Sequence, residues 1–194
     1  RYLTQSAAAV RMLQGKRVIF HPGSAGKQSR EEAMAKAQDT LRMALEALDS
    51  EGLGDVELCP ETMGKMAQIG TLEEVLAFCK LDRRIIPCLD LGHLNARTQG
   101  AIKGKAEYAA ILDALEEALG DERAGNFHVH FSKIEYTAGG EKRHLTFEDK
   151  VYGPDYEPFL ELCHQRGLGP TIICESAGTQ AEDAQTMMEY YRSL

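Results

Sequence analysis

Five short apolar runs in this sequence each end in, or carry, a side chain able to bind a metal ion. The first leads into His21, within Phe20-His21-Pro22-Gly23-Ser24. The second leads into Glu61, within Leu58-Cys59-Pro60-Glu61-Thr62. The third delivers Asp90, with His93 three residues on. The fourth carries His128 and His130, and the fifth leads into Glu175. Imidazoles mixed with carboxylates suit zinc, manganese or iron. Taken singly, a glutamate after a strand is ordinarily a surface acid, and a histidine in an apolar run is ordinarily a packed core residue. Five in concert argue for a metal centre. His128 and His130 are two apart on one run and face the same side of a strand, so periodicity leaves the choice between them open. His164 falls on an expected surface helix and is given no role.

The elements that must position these groups are legible as an alternation. Strand character is expected over Arg17–Phe20, Val56–Cys59, Ile85–Leu89, Phe127–Phe131 and Thr171–Cys174, runs rich in Ile, Val, Leu and Phe. Helical patterns lie between them. Ser29 with Glu32 and Thr71 with Glu74 have the spacing of capping boxes, and Gly52 should stop the first of those helices. Tyr108, Ile111, Leu112, Leu115 and Leu119 line a third helix that Gly120 ends. Residues 158–165 and 181–191 supply two more, and residues 2–12 read as a helix already under way. The stretch from Lys133 to Arg143 reads as a loop with its tip at Ala138–Gly140. Alternating strands and helices predict a parallel sheet with helices outside, and in such folds every strand's C-terminal end points to one face.

Composition bounds the function. The 194 residues carry 22 Lys plus Arg against 30 Asp plus Glu, a formal charge of −8, with 43% hydrophobic and 27% charged residues. These are globular values that exclude a disordered tail or a coiled coil. The negative charge argues against holding nucleic acid by bulk attraction, although bound metals can lend a cleft positive charge. No apolar run is long enough for a membrane span. The five cysteines form no CxxC pair and read as buried free thiols in a reducing cytoplasm. Gly23-Ser24-Ala25-Gly26-Lys27 lacks the spacing of a phosphate loop and reads as a strand-to-helix turn.

Together these motifs resemble endonuclease IV, the metal-dependent AP endonucleases within the xylose-isomerase-like barrels. The matching runs are Phe20–Ser24, Pro60-Glu61-Thr62-Met63-Gly64, Cys88-Leu89-Asp90-Leu91-Gly92-His93, His128-Val129-His130-Phe131-Ser132-Lys133, Arg143-His144 and Ile173-Cys174-Glu175, in order over nearly the whole chain. The resemblance implies two to three metal ions, usually zinc with manganese an option, at the C-terminal mouth of a (β/α)8 barrel. It implies His21 and Glu61 on a first metal, Glu61, Asp90, His128 and Glu175 around a second, and His93 and His144 on a third. It favours His128 over His130 because Lys133 then falls where the family has its lysine. The implied chemistry is phosphodiester hydrolysis 5′ to an abasic site in duplex DNA, with Glu61 and Glu175 catalytic. Three positions depart from the family. Lys142 stands where it has an Asp, with Glu141 the nearest acid. Phe131 replaces an acid, and nothing upstream of His21 supplies a further histidine.

DNA contacts are expected from Arg97, Lys133, Tyr136 and Arg143, with Lys103 and Lys105 further candidates on the same rim and Tyr136 able to stack on a base. The competing reading is a sugar isomerase or epimerase. That class needs one metal held by Glu, Asp, His and Glu, with the two glutamates trading a proton beside a carbonyl. His21, His93 and His144 discriminate, since only a polynuclear site needs them all. Five units in 194 residues is about 39 residues each, whereas a full barrel takes roughly 250 residues. Residues 1–194 are therefore expected to be a single, N-terminally incomplete barrel domain holding the C-terminal five βα units. Its open sheet edge would invite self-association.

Overall fold

The computed structural model describes every residue except Asp121. Helix α1 (Tyr2–Met12) leads into β1 (Arg17–Phe20), α2 (Arg30–Ser50), β2 (Glu57–Pro60), α3 (Leu72–Cys79) and β3 (Cys88–Asp90). Then come α4 (Leu91–Arg97), α5 (Lys105–Leu119), α6 (Glu122–Gly125), β4 (His128–Phe131), β5 (Ile134–Thr137) and β6 (Gly140–His144). The chain finishes with α7 (Glu157–Arg166), β7 (Thr171–Cys174) and α8 (Gln180–Ser193). The five expected strands are β1, β2, β3, β4 and β7. They pair in parallel in chain order: β1 with β2, β3 with β4 and β4 with β7, and parallel bridges Leu58–Ile85 and Glu61–Cys88 join β2 to β3. This is an arc of a parallel barrel. Arg17 draws its N-terminal end together, donating from β1 to the carbonyls of Asn126 and Phe127 at 2.8 and 3.3 Å while pairing with Glu57 at 2.8 Å.

The helices form where their ends are satisfied. Ser29 and Glu32 close a capping box on α2, and Thr71 and Glu74 close another on α3. Left-handed glycine caps α5 at Gly120 (φ 57°), a conformation that costs a β-carbon residue energy. The helices bury one apolar stripe each. Leu41, Leu45 and Leu48 of α2 pack with Val75 and Phe78 of α3 over β1 and β2, while Leu112 and Leu115 of α5 pack with Phe159 and Leu160 of α7 over β3 and β4. A third, small cluster of Cys59, Ile86 and Cys88, with Ile19 against it, fills the inner side of the arc. All five cysteines are buried, and none forms a disulfide. Among the described residues no helix is long and apolar enough to cross a membrane.

Several elements were not foreseen, the four-residue α6 among them. The segment expected as a loop is a hairpin, β5 with β6 antiparallel and bulged between Glu135 and Tyr136. Its residues are mostly polar, so no apolar face marks the strands. Another is α4, whose seven residues are all buried.

Glu74 caps more than its helix. Its carboxylate accepts from the amides of Gly70 and Thr71 at 2.7 and 2.9 Å and pairs with Arg30, which reaches across from α2. Burial would push this carboxyl up, yet the Arg30 guanidinium and the two amides bring it below the ordinary range. A depressed folded pKa adds stability above the unfolded value and loses it as pH falls through the folded one. Glu74→Gln is therefore expected to destabilise the chain by about 1–2 kcal/mol at neutral pH. Urea unfolding at pH 7 and pH 3 should show that difference shrinking in acid.

Candidate metal centre

The Asp-x-x-His spacing works because Asp90 is both the last residue of β3 and the N-cap of α4. Its Oδ1 accepts the backbone N–H of His93 at 2.7 Å. One cap thus fixes two donors on neighbouring turns of chain. Thr62 pins the same strand end: its hydroxyl accepts from the Asp90 amide at 2.8 Å and donates to the Asp90 carbonyl at 3.1 Å. In the β3–β4 register Asp90 lies beside His130. Glu61 follows β2, its amide bonded to the Phe20 carbonyl at 3.1 Å, and Glu175 follows β7, its amide bonded to the Phe131 carbonyl at 2.9 Å. Parallel pairing therefore brings all four groups to one end of the arc.

Glu61, Asp90, His130 and Glu175 each offer a ligand atom within 4.8 Å of the others. His130 Nδ1 is 3.0 Å from Glu61 Oε1 and 3.3 Å from Glu175 Oε1, and His21 Nε2 is 3.3 Å from Glu61 Oε2. Glu61 accordingly faces a different imidazole with each oxygen. A second group, His93, Glu141 and His144, meets the same spacing. His93 stands between the two: Nδ1 donates to the Thr62 carbonyl at 3.0 Å and lies 3.4 Å from Glu61, while Nε2 lies 3.3 Å from Glu141 Oε2. The His144 ring is edge-on to that of His93 at 5.4 Å, and its Nδ1 is 2.8 Å from the Ser132 hydroxyl. With Nδ1–H donating to Ser132, its Nε2 keeps a free lone pair.

The electrostatics call for cations. Asp90 is fully buried, and among the described residues its Oδ2 has no hydrogen-bond partner, the His93 ring at 3.3 Å being its nearest cationic group. A half-satisfied buried carboxylate is costly. Burial, with Glu61 adding repulsion, pushes Asp90 up to about 7. His93 responds in the opposite sense: burial would lower it, but Asp90 and Glu61 raise it to about 10. In the metal-free chain an imidazolium thus supplies the positive charge that the carboxylates demand. For Glu61, burial works upward, and hydrogen bonds from His130, His21 and His93 outweigh it to hold the carboxyl well below its usual range. A donor set of carboxylate oxygens and imidazole nitrogens with an orphaned buried oxygen fits divalent metal ions.

The hairpin delivers Glu141. It is tied to the loop after β2 by an antiparallel bridge between Lys65 and Gly140 and by bonds from the Glu141 and Met66 amides to the carbonyls of Gly64 and Gly139, both 3.1 Å. Gly64 permits that approach, since a Cβ there would lie 2.5 Å from the Glu141 Cβ and 2.9 Å from the His93 ring. Gly64→Ala is expected to push the hairpin away and weaken metal held by His93, Glu141 and His144 about tenfold. Competition with a chromophoric chelator would read that loss.

Of the sequence-derived candidates, His21, Glu61, Asp90, His93, His144 and Glu175 converge on this mouth. His128 does not join Glu61, Asp90 and Glu175; the register sets it beside Cys88, two residues deeper, and His130 occupies the place expected for it. Lys142 points away and pairs with Glu135, while Glu141, next to it, faces the histidines. Arg97, expected at a DNA backbone, is 9% exposed, and its two terminal nitrogens donate to the carbonyls of Met63, Lys65, Met66 and Gln68. Lys133 is likewise buried, donating to the Asp149 carbonyl and lying 3.0 Å from Asp155. Tyr136 packs its half-buried ring edge-on against Tyr152, and Arg143 stays exposed but paired with Glu135 at 2.6 Å.

A family model described as xylose isomerase-like TIM barrel matches residues 1–194. The chain belongs to the xylose isomerase-like TIM-barrel family. Among relatives of this barrel, an uncharacterized protein of Methanocaldococcus jannaschii is 35% identical over 180 residues, 93% of this chain and 64% of its own length. A probable endonuclease 4 of Malacoplasma penetrans is 34% identical over 88 residues, 43% of this chain and 29% of its own. Endonuclease IV from Thermus thermophilus superposes with a TM-score of 0.68 at 19% identity, covering 99% of this chain and 67% of that one. A D-tagatose 3-epimerase-like protein gives 0.67 at 18% identity, covering 98% and 67%. The chain spans 64% of the length of the Methanocaldococcus relative and 67% of each of the two solved structures. Solved structures that share this fold thus include an endonuclease IV and a D-tagatose 3-epimerase-like protein.

Proposed function

We propose that this chain carries the metal site of a zinc-dependent phosphodiesterase of the endonuclease IV type, acting on duplex DNA at abasic sites. The observation that carries the reading is the second donor group. His93, Glu141 and His144 adjoin Glu61, Asp90, His130 and Glu175, and a one-metal isomerase has no use for them. Bound divalent ions would polarise water and phosphate oxygens and offset developing negative charge. The chain's residues do the rest. Glu61 holds His21 and His130 on its two oxygens and so fixes the spacing of the mouth. Glu175, the more exposed of the two glutamates, is suited to take the proton of an attacking water. With Arg97 and Lys133 engaged in the fold, the metals rather than lysines would meet the phosphate, which suits an acidic protein.

The competing reading, a single-metal sugar isomerase or epimerase, is favoured by one observation: Glu61, Asp90, His130 and Glu175 alone satisfy its requirement. A duplex carrying one abasic site separates the two. Incubation with the chain should give a nick 5′ to the site, abolished by chelator and restored by zinc. Intact duplex, together with metal-dependent epimerisation of a ketose, would replace the endonuclease reading by the isomerase one.

A further inference from the structure

Beneath the carboxylate mouth lie two side chains, Cys88 and His128, that the proposed hydrolysis does not use. Cys88 sits beside His128 in the β3–β4 register, and Cys88, His128 and His130 each offer a ligand atom within 4.8 Å of the others. The three are 0%, 5% and 8% exposed. Among the described residues, neither ring nitrogen of His128 has a hydrogen-bond partner. That sets it apart from its neighbours. His93 is held by the Thr62 carbonyl, His130 by Glu61 and His144 by Ser132. Leaving a buried polar group unmatched costs about 1–3 kcal/mol, so two orphaned nitrogens on one ring imply something that answers them. The apolar side chains packed with Cys88 are Cys59, Ile86 and Ile19.

The chemistry of this layer differs from that of the mouth. A thiol with imidazoles is a soft set, unsuited to magnesium or calcium and suited to thiophilic ions. We infer that Cys88 and His128, with the ring of His130 shared between layers, form an inner site for a thiophilic cation of the Cu(I), Zn(II) or Cd(II) class. Binding releases the thiol proton to solvent and forms a sulfur–metal bond, with no change of oxidation state. Because His130 borders both groups, a soft ion held here would compete for a ring that the mouth also uses. The geometry of Cys88 and His128 carries this inference independently of the phosphodiesterase reading.

Cobalt(II) and cadmium(II) are the probes. Titration into the chain should produce sulfur-to-metal charge-transfer absorption saturating at about one equivalent. Cys88→Ser should abolish the band and His128→Ala should weaken the binding behind it at least tenfold, whereas Cys59→Ser and Glu175→Gln should leave it in place. Should Cys88→Ser fail to fold, the unmodified chain gives a second readout: cadmium should slow alkylation of Cys88 selectively, as followed by peptide mass spectrometry. A folded chain that shows no sulfur band, a band that persists in Cys88→Ser, or alkylation of Cys88 unaffected by cadmium would overturn the inference. Retained nicking of abasic DNA alongside any of these would leave the mouth's function standing.

Discussion

Glu61→Gln should cost at least 100-fold in metal affinity at the mouth and a comparable factor in phosphodiester cleavage. Residues that merely orient a metal ligand typically contribute 10–100-fold, and Glu61 stands closer than that, with one oxygen facing His130 and the other His21. The amide has nearly the same shape, so packing survives. The substitution relieves some of the repulsion that lifts Asp90 but also removes the carboxylate that three imidazoles hold below its usual range. The metal-free chain should therefore lose some stability at neutral pH, and the readout is the zinc-dependent shift rather than the absolute Tm. What should vanish is stabilisation by added metal. A ligand at 100 times its Kd stabilises a fold by about 2.7 kcal/mol, and a 100-fold weaker Kd forfeits most of that. Thermal unfolding with and without zinc reads the effect directly. A zinc-dependent rise in Tm that persists unchanged in Glu61→Gln would show that this carboxylate is not a ligand.

Arg97→Ala is expected to damage the fold rather than any affinity for DNA. The guanidinium gathers four carbonyls from the segment Met63–Gln68. That segment carries Gly64, against which the hairpin and Glu141 pack. Burial of the arginine lowers its pKa from the ordinary arginine value, so the site already bears a desolvation cost that the carbonyls offset. Truncation leaves those carbonyls unmatched and should destabilise the chain by about 3–5 kcal/mol. Metal at the second group should weaken with it, since the loop no longer holds the hairpin. The two roles separate in salt: a phosphate contact would change the salt dependence of DNA binding by about one counterion, whereas a fold clamp leaves it unaltered and lowers Tm.

The parallel strands are apolar runs, even β7, where Thr171 and Ile173 stay exposed, which is why all five could be read from the sequence and why their C-terminal donors fell at one mouth. Capping boxes at Ser29 and Thr71 were legible for a similar reason, since the chemistry is local. What escaped depended on register and on long-range pairing. Strand periodicity puts His128 and His130 on the same side, and only the pairing of Asp90 with His130 separates them in depth. The β5–β6 hairpin has too few apolar residues to show a period, and its hold on Gly64 is a tertiary contact that sequence spacing does not encode. Glu141 was visible as the acid nearest His144, but its direction depends on that hairpin. Arg97 looked like a free cation because nothing local shows that four carbonyls converge on it.

Metal content per chain tests the central claim most directly, because the case for a phosphodiesterase rests on a second donor group beside the first. Elemental analysis of the zinc-loaded chain and of His144→Ala should show at least two ions in the former and one fewer in the latter. His144 takes no part in the set formed by Glu61, Asp90, His130 and Glu175, so that difference belongs to the second group alone. An identical metal count in the two proteins would contradict the account and leave the one-metal isomerase as the reading of this site.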